Sequence, residues 1–193
     1  MGFLPDLNKI VAMLPKKRQT LLFSATMPKE IQVITDKILN NPVRIEVSAP
    51  KVTIENTQQY ALFVKRSDKL SLLKELLDDK DLKKVIIFTR TKHGADRLLS
   101  SLQQLSIKSD TIHGNKTQNA RNRALNKFRT GRIRVLVATD VASRGIDVEN
   151  ITHVINFDLP NEPDNYIHRI GRTARAGASG VALSFCDLEE RNY

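Results

Sequence analysis

Cysteine is nearly absent: Cys186 is the single one among 193 residues. No internal disulfide is available, and the chain suits a reducing, cytoplasmic compartment. Tryptophan is missing and aromatics reach only 5%. Apolar runs are short, the longest being stretches such as Val85–Phe88 and Val135–Ala138. None has the length a bilayer crossing needs, so no membrane partner is expected. The N-terminal MGFLPDLNKI lacks a basic region followed by a long apolar core, which argues against a signal peptide. No Cys, His or carboxylate spacing suits a metal, no Ser-His-Asp pattern stands out, and there is no Gly-rich phosphate loop ending in Lys-Ser/Thr. The composition excludes collagen-like, disordered and disulfide-scaffold classes. The length allows a real core without covalent staples.

Acidic residues are scarce in one stretch. From Lys83 to Arg134 there are thirteen Lys or Arg against Asp96 and Asp110, about the whole of the net charge of +10. From Asp140 onward the balance reverses, with nine acids and five basics. Between Arg121 and Arg134 lie six basics and no acid. A patch of this sign and density favours a phosphate backbone through counterion release, although a charge run alone also describes an ordinary solvated face.

Strand-like runs fall at 60–64, 85–89, 108–112, 135–139, 153–157 and 180–185. Several are short, apolar and β-branched, as in strands buried on both faces. Helical patterns alternate with them. Asp68 can cap a helix bearing Leu70, Leu73, Leu76 and Leu77. Thr91 can cap one bearing Ala95, Leu98, Leu99 and Leu102, and Thr117 one bearing Ala124, Leu125 and Phe128 that Gly131 stops. A shorter helix follows Pro163. The expected fold is α/β, a mostly parallel sheet with helices on both faces. Ligands of such sheets bind outside the carboxyl ends of the strands, so the loops after Thr89, Ile112, Thr139 and Phe157 are where chemistry is expected. Residues 1–47 offer one strand at 20–24 and one helix at about 28–39, too little to bury both faces. Residues 48–57 read as a linker, and 58–193 as the main domain.

Three segments combine reactive residue types with strand ends. Thr139 and Asp140 close an apolar strand, with Arg144, Gly145 and Asp147 following; this is either a ligand-binding turn or a capped turn serving its own backbone. Arg169, Arg172 and Arg175 recur every third residue beside His168. On one helix face, three guanidiniums suit a bound anion; the bland alternative pairs them with Glu162, Asp164 and Asp187. His113-Gly114 leaves a strand and opens a helix whose first turn carries Gln118 and Arg121, either a phosphate-binding helix start or an ordinary capped one. Ser24-Ala-Thr26 after an apolar run is a weaker signal of the same kind.

Taken in order, these segments resemble the DEAD-box ATP-dependent RNA helicases of superfamily 2. Leu22-Phe-Ser-Ala-Thr-Met-Pro28 is similar to motif III and Val85-Ile-Ile-Phe-Thr-Arg-Thr-Lys92 to motif IV. His113-Gly and Gln118-x-x-Arg121 resemble the RNA-contacting segments that follow. Ala138-Thr-Asp-Val-Ala-Ser-Arg-Gly-Ile-Asp147 closely matches motif V, and His168-Arg-Ile-Gly-Arg-Thr-Ala-Arg175 motif VI. The wording is most like the bacterial RhlE type; Ala174 stands where Gly is commoner, which bears on local backbone freedom. The resemblance implies a RecA-like fold of the P-loop NTPase type, with 1–47 the tail of a first RecA-like domain and 58–193 the second. It implies that Arg172 and Arg175, with His168 near them, reach the γ-phosphate of ATP, and that Asp147 holds the ribose. Gly114, Gln118, Arg121, Thr139 and Arg144 would hold RNA, and Ser24, Thr26, Asp140 and Arg169 would couple the two sites. ATP and Mg²⁺ would be held mainly by the first domain, whose phosphate loop and DEAD carboxylates this sequence does not contain. The chain alone is then expected to bind RNA without hydrolysing ATP. Two rival readings are a stand-alone RNA-binding module and a DNA helicase. The apolar 20–24 segment is expected to dock on the second domain, to swap into a dimer through residues 1–47, or to stay mobile.

Overall fold

The structure, a computed structural model, describes residues 4–24, 27, 29–46, 56–140, 148–174 and 179–190. The chain divides into two units, Met1–Ala49 and Pro50–Tyr193. In the larger, six strands form one sheet: β1 Thr57–Phe63, β2 Val85–Phe88, β3 Ser109–Ile112, β4 Val135–Ala138, β5 His153–Asn156 and β6 Gly180–Cys186. The spatial order is β1-β6-β5-β2-β4-β3, and every pairing is parallel. The expected parallel α/β sheet is therefore present.

Alternation along the central strands splits the core in two. Val85 and Ile87 of β2 point to one face, where they meet Val135, Val137, Leu183 and Phe185. Ile86 and Phe88 point to the other, with Ile112, Leu136, Ala138 and Val154. All four residues of β2 are fully buried, which explains an unbroken apolar run with no polar side. Each large side chain so buried contributes about 1.5–3 kcal/mol. Helices α3 (Lys69–Asp78) and α4 (Lys92–Gln104) cover the first face with Leu73, Leu77, Ala95, Leu98 and Leu102. Helix α5 (Gln118–Arg129) covers the second with Ala124 and Phe128, one turn apart.

Helix starts follow local chemistry. The Thr91 hydroxyl accepts the Gly94 N–H at 3.0 Å, and that of Thr117 accepts the Ala120 N–H at 3.3 Å. Gly131 takes φ +73° just past α5, the left-handed stop that glycine adopts without strain. Asp68 differs from expectation. A 3₁₀ turn, Arg66–Asp68, runs straight into α3, so Asp68 has helical backbone and no capping bond; its carboxylate accepts the Ser67 hydroxyl instead. Strand β1 begins three residues before its expected start because pairing with β6, Thr57 opposite Gly180, extends it through Gln58 and Gln59.

Gly180 is held by close approach. A Cβ there would lie 2.2 Å from Thr173 Oγ1 and 2.7 Å from the Ala174 backbone nitrogen. Thr173 cannot yield, since its buried hydroxyl donates to the Ile151 carbonyl at 2.5 Å. Gly180→Ala is expected to lower stability by about 1–3 kcal/mol, read as a drop in the urea midpoint.

In the smaller unit, α1 (Leu4–Met13) and α2 (Lys29–Ile38) are the helices among the described residues. Helix α1 goes beyond the sequence expectation, although Leu7, Ile10, Val11 and Leu14 carry a helical spacing. The expected strand at 20–24 is not formed: these residues carry no strand, and Leu21 and Phe23 are exposed. A strand needs ladder partners, and the described part of this unit supplies none. Leu21, Leu22, Phe23, Ile38, Val43 and Ile45 instead line a hollow of about 710 Å³.

Candidate functional site

The carboxyl ends of β4, β2 and β5 lie side by side, and Asp140, Thr89 and Asp158 leave the sheet there. One buried side chain ties these ends together. Arg169, on helix α6 (Pro163–Ile170), is 1% exposed. Its Nε and Nη2 donate to the two carboxylate oxygens of Asp140 at 2.6 and 2.8 Å. Its Nη1 donates to Asn156 Oδ1 at 3.2 Å and to the Asp158 carbonyl at 2.6 Å. Asn156 is oriented in turn by its donation to Ser184 Oγ at 3.0 Å. The guanidinium also lies 5.1 Å over the Phe88 ring. A fork-to-fork pair suits arginine and no other cation. Helix α6 starts at Pro163, whose fixed φ fits a first helical position.

This corrects the picture of three arginines sharing one anion-facing helix surface. Helix α6 ends at Ile170, with Gly171 as its C-cap, so Arg172 lies in the turn beyond and the three-residue spacing no longer sets its direction. Arg169 points inward and is neutralised by Asp140, not by Glu162, Asp164 or Asp187. Arg172 is half-buried, its N–H donating to the Arg169 carbonyl at 3.1 Å. His168 is exposed on α6. Ala174 adopts φ +55°, a left-handed conformation that costs a non-glycine residue about 1–2 kcal/mol; this is where the departure from Gly takes effect.

A second cluster forms at the exit of β3. His113 is 1% exposed, whereas Gly114 behind it is exposed. Gln118 and Arg121 occupy the first turn of α5, with Arg121 Nη1 donating to Gln118 Oε1 at 3.2 Å. Gln118 also donates to Asn122 Oδ1 at 3.0 Å. Thr139 is buried at the end of the neighbouring β4, and its N–H donates to the Ile112 carbonyl at 3.3 Å. Gly114, Gln118, Arg121, Thr139 and Asp140 thus gather at one end of β3 and β4. Ser24 belongs to the smaller unit, where it is exposed. Thr26, Arg144, Asp147 and Arg175 lie outside the described residues.

Sequence reasoning missed a third cluster. Glu190, 4% exposed, accepts Arg90 Nη2 at 2.7 Å and the Leu159 N–H at 3.1 Å on one oxygen. Its other oxygen accepts Lys69 Nζ at 2.6 Å. Lys69, 2% exposed, also pairs with Asp187 at 3.2 Å and donates to the Phe157 carbonyl at 3.1 Å. The Arg90 N–H donates to Asp158 Oδ2 at 3.0 Å. Burial pushes the Asp187 carboxyl up, but Lys69 and the N–H groups of Glu189 and Glu190 outweigh it and hold the group below its ordinary value. These residues border a cleft of about 440 Å³ that Thr89, Thr91, Gly94 and Arg97 also line. The signal was positional: Arg90 leaves β2 at the edge where ligands of parallel sheets bind. Among the described residues no His, Cys, Asp or Glu cluster suits a metal ion, and no helix is long and apolar enough to cross a membrane.

Residues 68–177 match the helicase conserved C-terminal domain. The DEAD-box ATP-dependent RNA helicase CshA of Geobacillus kaustophilus is 46% identical over 190 residues, 98% of this chain and 41% of the relative. Its namesake in Bacillus subtilis is 44% identical over 192 residues, 100% of this chain and 39% of the relative. The chain thus spans about two fifths of the curated relatives it matches, and these carry the CshA name, not that of the RhlE type. Among solved structures, Saccharomyces cerevisiae Dbp5 bound to RNA and ADP BeF3 is similar at TM-score 0.83 and 34% identity, over 97% of this chain and 50% of that one. A DEAD box protein from the hyperthermophile Methanococcus jannaschii gives TM-score 0.67 and 37% identity, over 100% of this chain and 52% of that one. Motif order, a parallel RecA-like sheet and these matches agree: the chain belongs to the DEAD-box helicases of superfamily 2, and residues 68–177 lie in its helicase C-terminal domain.

Proposed function

We propose that this chain is the C-terminal RecA-like part of an ATP-dependent RNA helicase, which couples ATP binding and hydrolysis to local opening of RNA duplexes. The observation that carries the reading is the Arg169–Asp140 pair. It joins the strand end that carries Thr139, on the side of Gly114, Gln118 and Arg121, to the helix that runs into Arg172. In this reading the first group holds RNA through phosphate and sugar contacts, which leaves little sequence preference. Arg144 belongs with that group, and Arg172 and Arg175 meet the terminal phosphate of ATP, where phosphoryl transfer builds charge that arginine stabilises. His168 stands beside them, and Asp147 takes the ribose hydroxyls. Asp140 and Arg169 transmit the state of one site to the other, with Ser24 and Thr26 serving that coupling from the smaller unit.

The described residues of this chain bring no three His, Cys, Asp or Glu side chains together as a metal cage. The metal and most contacts to ATP are assigned to a nucleotide-holding domain joined to this one. RNA is the partner favoured here over DNA, and a competition titration of RNA against DNA of equal sequence separates the two, since only RNA carries the 2′-hydroxyl.

The direct test is Arg121→Ala in the 193-residue chain, titrated with single-stranded RNA at several salt concentrations. Affinity is expected to fall and the slope of log K against log[salt] to flatten by about one. An unchanged slope removes Arg121 from the RNA contacts.

A further inference from the structure

We propose that His113 is a positioning residue whose two ring nitrogens do separate jobs in holding the Gly114 turn open to RNA; this rests on the RNA reading above. The ring is 1% exposed, so it cannot itself meet a phosphate. Its Nδ1 lies 3.3 Å from the Asn115 backbone nitrogen and accepts that N–H. An accepting Nδ1 carries no proton, so the hydrogen sits on Nε2 and is donated to Asp96 Oδ1 at 3.0 Å. Asp96 belongs to α4 and also takes Lys116 Nζ at 3.0 Å. Burial pushes the Asp96 carboxyl up, but the bonds from His113 and Lys116 win and keep it below its ordinary value. It therefore stays an anion that fixes the ring. The Lys116 N–H closes the turn on the His113 carbonyl at 3.0 Å, and Lys92 Nζ donates to Asn115 Oδ1 at 3.1 Å.

Among the described residues nothing crowds Gly114: a Cβ there would have none of their heavy atoms within 4 Å, and Gly131 alone among the described glycines has positive φ. Neither crowding by the described residues nor backbone conformation calls for glycine at 114. An approaching backbone does. The turn is held at five points while the space over Gly114 is clear of described residues, which is the arrangement of a surface kept in shape for a ligand. The bond that matters for RNA is the one at Nδ1, because it orients the amide next to Gly114. The bond at Nε2 only orients the ring.

Two substitutions separate these jobs. His113→Asn places a carbonyl near the site of Nδ1 and gives up Asp96. His113→Gln reaches Asp96 and gives up Asn115. The unaltered chain and both variants are titrated with a fluorescein-labelled oligouridylate by anisotropy, with melting temperature and hydrogen exchange at the Asn115 amide measured alongside. His113→Asn is expected to keep RNA affinity within about threefold and to keep the Asn115 amide protected. His113→Gln is expected to lose about tenfold in affinity, the size of one net hydrogen bond, with faster exchange at Asn115. The proposal is overturned if the two variants bind alike, or if affinity follows melting temperature with no difference in exchange at Asn115. The exchange contrast decides the role of the ring even if the unaltered chain binds no RNA, an outcome that would overturn the RNA reading instead.

Discussion

Arg169→Ala is expected to destabilise the larger unit by about 3–5 kcal/mol, the usual cost of removing one partner from a buried, hydrogen-bonded ion pair. Four bonds end on this guanidinium, so Asp140, Asn156 and the Asp158 carbonyl would each lose the arginine as a donor. The Asp140 side chain keeps 26% of its exposure, and hydration there places the loss near the lower end of that range. Urea unfolding followed by circular dichroism gives the number; a change below about 1 kcal/mol would show that the pair adds little beyond its neighbours. Arg169→Lys is expected to restore only part of the loss, because an ammonium cannot span both carboxylate oxygens and still reach the β5 end.

The largest effect on activity is expected at Arg172. In a protein where this chain is joined to its nucleotide-holding domain, the proposed function gives Arg172→Ala a loss of roughly 10³ in RNA-stimulated ATP turnover, with RNA affinity within about threefold of the original. The two substitutions separate because the arginines stand differently. Arg169 sits within helix α6 with its guanidinium in the β4 and β5 ends, and Arg172 follows the helix end in a turn fixed by its own N–H and by the Thr173 hydroxyl. Equal losses of turnover and RNA binding would remove the assignment of Arg172 to the phosphate.

How much of this was legible in the sequence varied with the kind of signal. Strands β2 and β4 were readable because both their faces are buried, so they are apolar without interruption. Thr91 and Thr117 were readable as caps because their bonds are local. Asp68 was not, since the turn before it is itself helical. The run 20–24 reads as a strand by composition alone, but composition does not supply a neighbour. Among the site residues, Gly114, Gln118, Arg121 and Thr139 lie at the β3 and β4 ends, where loops that follow parallel strands were expected to carry chemistry. The inward turn of Arg169 was hidden, because a spacing of three says nothing about where a helix stops. Lys69 and Glu190 were hidden more deeply: in sequence they look like ordinary surface charges, and only the fold makes them neighbours.

The strand order carries a consequence for how the chain is made. Among the described strands of the larger unit, β1 is made first, yet β6, the one it pairs with, is made last. Until then the earliest strand has nowhere to pair, and its unpaired edge is exposed to other chains. Parallel, non-local closure of this kind is slow, so the nascent domain passes through a late interval in which a chaperone has a specific segment, 57–63, to shield.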